Sequence, residues 1–156
     1  MSFAFFFPGQ GSQSLNMMNG FDDQTVIKAT FDEASAVLGQ DLWAMINGEH
    51  AETINETVNT QPLMLAAGIA TYRAYLEAGG KEPSMMAGHS LGEYTALVVA
   101  GSLSFADALK LVRLRAELMQ SAVPQGTGSM AAILGLDDDA VRAVCAEAAQ
   151  GEVVEA

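Results

Sequence analysis

The stretch Gly88-His89-Ser90-Leu91-Gly92-Glu93-Tyr94 decides the reading of this 156-residue chain. Residues 84–87 before it are short and mostly apolar, as a buried strand would be, and residues 91–100 after it are good helix formers. Ser90 is thereby placed at a strand-to-helix turn, in the arrangement of a nucleophile elbow. The flanking glycines remove the Cβ atoms that would clash in a strained bend, so the hydroxyl can stand clear of the backbone. The following helix aims its free N–H groups and positive dipole end at the same point, which suits an oxygen that gains negative charge during acyl transfer. Taken alone, Gly-x-Ser-x-Gly also fits a plain tight turn, so the surrounding chain has to decide.

Toward the N-terminus, residues 81–83 lead into the elbow strand and Gly79-Gly80 stops a helix that Pro62 opens and that runs to about Ala78. Its tight-packing face is Leu63, Ala66, Ala67, Ala70 and Ala74. An earlier helix is capped by Asp22 or Asp23 and reaches about Leu38, with Val26, Ile27, Phe31, Ala34 and Leu38 on one face. Residues 42–46 add another turn or two of helix, and residues 47–59 read as polar loop with a short helix. The chain opens with Phe3 to Phe7, read as a buried first strand, followed by the turn Pro8-Gly9-Gln10-Gly11-Ser12-Gln13. The two glycines of that turn would let backbone amides approach an anion, although it has neither the lysine nor the spacing of a P-loop.

Toward the C-terminus, Gly101 ends the elbow helix and Ser104, with Asp107 three residues on, starts another by a capping box. At 100° per residue, Ala108, Leu111, Val112, Arg115, Met119 and Ala122 of this helix, residues 105–122, share one stripe. Arg115 falls at the centre of that apolar face, whereas Arg113 falls on the wet side. A guanidinium taken from water costs several kcal/mol unless a carboxylate or fixed dipoles answer it. Arg115 therefore either pairs with a protein carboxylate such as Glu93 or lines a cleft for an anionic ligand. Pro124 to Ser129 reads as a hinge, residues 130–136 as a strand, Asp138 to Gln150 as an amphipathic helix, and Val153-Val154 as the start of a further strand.

Composition narrows the classes of function. Seven basic against nineteen acidic residues give a net charge of −12, which argues against nucleic acid, whose binding rests on phosphate neutralisation by Lys and Arg. No apolar run approaches the ~20 residues needed to span a bilayer. The apolar opening has no preceding basic residue and is cut short by Pro8-Gly9, so it does not read as a signal peptide. Cys145 is the one cysteine. It lies on the stripe Val141, Val144, Cys145, Ala148, where core filler is the expected role and a cytoplasmic location the expected compartment. No metal site is assigned.

The turn Pro8-Gly9-Gln10-Gly11-Ser12-Gln13, the elbow and Arg115 on its helix together resemble the malonyl-CoA:acyl carrier protein transacylase family of fatty-acid synthesis. Val123-Pro124-Gln125-Gly126-Thr127-Gly128 and Met130-Ala131-Ala132-Ile133 extend the resemblance over the whole chain. It implies an α/β fold: an α/β-hydrolase-like large subdomain, here incomplete over residues 1–123, a hinge at 124–129, and the start of an inserted ferredoxin-like lid over 130–156. It implies that Ser90 takes malonyl from coenzyme A as an ester and passes it to the phosphopantetheine thiol of acyl carrier protein. The backbone amides of Gln10 and Leu91 would form the oxyanion hole, and Arg115 would hold the malonyl carboxylate in a fork. Met119, one turn beyond Arg115, and His89 complete the substrate-binding candidates. No cofactor is implied; malonyl-CoA is substrate, and phosphopantetheine arrives on the carrier protein.

The chain departs from the family in one respect. The family's general base is a histidine well beyond the nucleophile, and the only histidines here are His50 and His89. His89 adjoins Ser90, where neighbouring side chains diverge, and reads as packed or hydrogen-bonded support. His50 reads as a solvent-facing loop residue. The expectation is an N-terminal part of a longer or two-piece enzyme, with a complementary C-terminal portion as partner. The alternatives are a serine esterase or thioesterase, an acyltransferase for another extender unit, and a non-catalytic fragment that folds only against its complement.

Overall fold

The computed structural model describes residues 2–21, 25–123, 127–131 and 133–156. The chain divides into two compact units, Met1–Val123 and Pro124–Ala156. In the first unit the order is β1 (Ala4–Phe7), α1 (Thr25–Leu38), α2 (Leu42–Ile46), α3 (Ala51–Asn55), α4 (Thr57–Glu77), β2 (Met85–Gly88), α5 (Leu91–Val99) and α6 (Phe105–Ala122). The class is α/β with helices predominating.

Helix α4 is the axis of this unit, packed against α1, α5 and α6. From Asn59 to Ala67 every residue is buried, because neighbours cover the helix on all sides and its small residues let them come close. At Gly68 even a Cβ would meet Thr95 Cγ2 of α5 at 2.8 Å. The helix starts at Thr57, so Pro62 lies inside it and does not open it. Local side chains support the segment before the proline: Thr60 donates through Oγ1 to the carbonyls of Ile54 and Glu56, and Asn59 through Nδ2 to that of Thr53. The expected stop holds, with Gly79 at φ +85° just beyond the helix.

Strands β1 and β2 pair in parallel, in the register Phe5 to Met86 and Phe7 to Gly88, and α5 packs on both. Among the described residues this sheet has two strands, and the expectation of buried strands holds only in part: Phe7 is buried and Phe5 half-buried. Phe6 is 80% and Met85 64% exposed, because an apolar strand is buried only where something lies over its face.

Helix α6 begins as its capping box requires: Ser104 Oγ accepts from the Asp107 N–H at 3.1 Å and donates to Asp107 Oδ2 at 2.7 Å. Its buried residues are Phe105, Ala108, Leu109, Val112 and Ala116, a face rotated by about 70° from the expected stripe at 100° per residue. Leu111 and Met119 are consequently exposed, and Arg115 borders the core without being centred on it. Arg113 is not simply in water either; its Nη2 donates to Gln40 Oε1. The proposed caps Asp22 and Asp23 lie outside the described residues.

In the second unit α7 spans Asp138–Ala149, capped by Asp137, whose Oδ1 accepts from the Ala140 N–H at 2.8 Å. The strands expected at 130–136 and from Val153 do not form among the described residues, since a strand exists only by pairing and none is paired here. Met130 and Leu134 are exposed, α7 buries no residue, and Cys145 is half-buried rather than core. Pro124, Gln125 and Gly126 of the expected hinge lie outside the described residues.

Candidate active site

Ser90 holds φ 51° and ψ −106°, a backbone region that a side-chain-bearing residue occupies only under strain and that recurs at functional sites. The strain is enforced by close approach. A Cβ at Gly88 would overlap the carbonyl of Gly92, one at Gly92 would overlap the carbonyl of Phe7, and one at Gly9 would meet His89 O at 2.8 Å. The His89 N–H donates to Phe7 O at 3.1 Å, continuing the strand pairing to the edge of the elbow. The chain then reverses into α5 with the Gly92 N–H donating to His89 O at 2.9 Å.

The turn after β1 is pressed against this elbow at Gly9. It is tied down on the far side by the α3–α4 region: Gln10 Nε2 donates to Thr57 Oγ1 at 3.2 Å, and Gln13 Nε2 donates to Asn55 Oδ1 at 2.8 Å. Gln13 Oε1 also accepts from the Gly11 N–H at 2.8 Å, which fixes the loop from within. Leu91 is the first residue of α5, so its N–H has no helical carbonyl to bond.

Arg115 meets Ser90 directly: its Nη2 donates to Ser90 Oγ at 2.8 Å. Its Nη1 donates to Gln61 Oε1 at 2.7 Å, and its guanidinium lies 5.7 Å from the centre of the Tyr94 ring. Among the described residues Arg115 enters no ion pair, unlike Lys28, Arg73 and Arg142. Glu93, the carboxylate that sequence offered as one possible partner, is exposed, and no ion pair joins it to Arg115 among the described residues. Met119 is joined to the group through Gln61, whose Nε2 donates to Met119 Sδ at 3.3 Å.

The remaining candidates fall apart from that cluster. His89 is exposed and makes no hydrogen bond to Ser90; its ring instead lies over Gly9, where a Cβ would come within 3.1 Å of Nδ1. His50 sits at the start of α3, exposed, with Nδ1 3.1 Å from Glu52 Oε1. That contact, together with a backbone hydrogen bond that weighs more, holds the Glu52 carboxyl below its ordinary range. A separate apolar cavity of about 440 Å³ between β1 and α4, bordered by Phe5, Met18, Met64 and Tyr72, contains neither Ser90 nor Arg115. Sequence reasoning missed Gln61 and Tyr94. Gln61 had no periodic signal, and Tyr94 was visible only as part of the elbow motif.

A strained serine between strand and helix, with a cation against its hydroxyl, is an arrangement compatible with acyl-group chemistry. The match to the acyl transferase domain family over residues 4–155 agrees, and the chain belongs to that family. It is 55% identical over 153 residues to the malonyl CoA-acyl carrier protein transacylase of Escherichia coli K12, across 97% of this chain and 50% of the relative. The Haemophilus influenzae protein of the same description is 51% identical over 156 residues. The structure of the acyl-carrier-protein S-malonyltransferase from Burkholderia pseudomallei 1710b superposes with a TM-score of 0.89 at 63% identity, covering 96% of this chain and 48% of that one. A malonyl-transacylase solved with its type II PKS acyl-carrier protein superposes at 0.92 and 52% identity, over 98% and 50%. The chain thus spans about half the length of the relatives it matches.

Proposed function

We propose that this chain supplies the nucleophile, oxyanion hole and carboxylate anchor of an acyltransferase that moves malonyl from coenzyme A to the phosphopantetheine thiol of acyl carrier protein. The observation that carries the reading is the contact between Arg115 and Ser90 Oγ, made by a guanidinium that no carboxylate among the described residues answers. In a malonyl group the free carboxylate lies two bonds beyond the reacting carbonyl. A cation touching the nucleophile is therefore where that carboxylate needs one, and its planar fork suits bidentate binding. An acetyl group would leave the same arginine unanswered, which disfavours it.

In the first half-reaction Ser90 Oγ bonds to the thioester carbonyl carbon, the carbon–sulfur bond breaks, and coenzyme A departs as its thiol. The carbonyl oxygen passes through an anion, received by the Leu91 N–H at the start of α5 and by the Gln10 N–H on the turn held at Gly9. In the second half-reaction the carrier's thiol attacks the ester and Ser90 recovers its proton. Neither His50 nor His89 is set to move that proton, so the base comes from the part of the family fold that these residues do not span. The same part would form the second half of the α/β-hydrolase-like subdomain, complete the ferredoxin-like lid, and provide the carrier-docking surface, since a net charge of −12 suits an acidic carrier poorly. The open β1–β2 sheet favours this arrangement, as does the absence of strands beside α7 among the described residues. No helix among the described residues is long and apolar enough to cross a membrane; the cytoplasmic location proposed for the reaction rests instead on the lone cysteine of the sequence.

The test is intact-mass and peptide analysis after malonyl-CoA is added, for this chain and for an enzyme of the relatives' full length that contains it. A malonyl ester on Ser90 that moves to an added thiol acceptor is expected in the longer enzyme, with slow or no transfer by the 156 residues alone. Hydrolysis outrunning transfer to the thiol would instead make the protein a thioesterase.

A further inference from the structure

Gln61 is fully buried on α4, where a polar side chain persists only if its hydrogen bonds are met. Both ends of its amide are engaged. Oε1 accepts from Arg115 Nη1 at 2.7 Å, and Nε2 donates to Met119 Sδ at 3.3 Å. These bonds fix which way the amide faces, and so present an oxygen, not an N–H, to the guanidinium. A neutral acceptor here can orient Arg115 while leaving its positive charge uncancelled. A carboxylate in the same place would form a buried ion pair and consume that charge. Arg115 keeps five N–H donors, of which one faces Gln61 and one faces Ser90, so others are left for a ligand carboxylate.

We propose that Gln61 is the positioning residue of this site: it aims Arg115 at the acyl group of Ser90 and, by being neutral, makes the site selective for acyl groups that end in a carboxylate. The inference rests on the reading of Arg115 as carboxylate anchor. It extends that reading to a residue that never touches the reacting atoms.

The experiment uses the ¹⁵N-labelled 156-residue chain and the Nε–Hε signals of its four arginines, with Arg115→Lys identifying that of Arg115 and malonate as the titrated probe. In the unsubstituted chain the Arg115 signal is expected to stand apart and to move as malonate is added. In Gln61→Leu it should collapse onto the signal of exposed Arg142. In Gln61→Glu, which keeps the shape of the side chain, it should remain apart while malonate affinity falls tenfold or more. The proposal is overturned if Gln61→Leu leaves the signal and the affinity as they were, or if Gln61→Glu binds malonate as tightly as the unsubstituted chain. A signal that depends on Gln61 but ignores malonate would remove the anchor reading and leave the positioning role standing.

Discussion

Helix α4 and the β1–β2 sheet stand in opposite conditions within one compact unit. Residues 59–67 of α4 are buried without interruption, whereas the sheet leaves Phe6 and Met85 in solvent. The difference shows what holds the site. The cation on Ser90 Oγ and the groups that hold it come from the enclosed helices, with Arg115 on α6, Gln61 on α4 and Tyr94 on α5. The sheet's task is to deliver the serine, and it does so through a bend forced by backbone contacts at Gly88 and Gly92. Cation and buried acceptor are thus placed by a closed core, and Ser90 by a strained turn on an open sheet.

That contrast can be broken by substitution. The largest effect is expected at the chemistry: Ser90→Ala should abolish acyl-ester formation and lower transfer in the longer enzyme by about 10⁶, the scale seen when a serine nucleophile is deleted. Mass spectrometry of the acylated peptide checks the first, and turnover the second. Gly92→Ala would drive a methyl into the carbonyl of Phe7 and should destabilise the chain by about 4 kcal/mol, at the upper end for single substitutions, measured by denaturant unfolding. Leu65→Ala in the closed core should cost about 3 kcal/mol in the same assay. Phe6→Ser on the open sheet should change stability by no more than about 0.5 kcal/mol. Equal losses at Leu65 and Phe6 would mean that the sheet face is as enclosed as the core and that the comparison is wrong.

The features legible in the sequence are those decided within a few residues. The elbow needs glycine at two fixed positions beside Ser90, Ser104 and Asp107 cap α6 by themselves, and Gly79 ends α4 because its backbone is left-handed. Elements decided at a distance were misread. Residues 130–136 have the composition of a strand but no partner to pair with among the described residues, and Pro62 looked like a helix start because the bonds of Asn59 and Thr60 that carry the helix past it reach back to Thr53, Ile54 and Glu56. The stripe on α6 was misplaced because its burial is set by α4 and α1, not by its own periodicity. For the same reason the sequence left Arg115 open between a protein carboxylate such as Glu93 and an anionic ligand, and the fold bonds it to Gln61 and Ser90.

The central claim is that Arg115 serves a carboxylate on the acyl group. Its most direct test compares Ser90 acylation by malonyl-CoA and by acetyl-CoA in the longer enzyme, with and without Arg115→Ala. Acylation by malonyl-CoA should fall by about 100-fold, the worth of a charge-assisted hydrogen-bonded pair of roughly 2–3 kcal/mol, while acylation by acetyl-CoA holds or rises. An equal fall for both acyl groups would contradict the anchor role and leave Arg115 as a structural partner of Ser90.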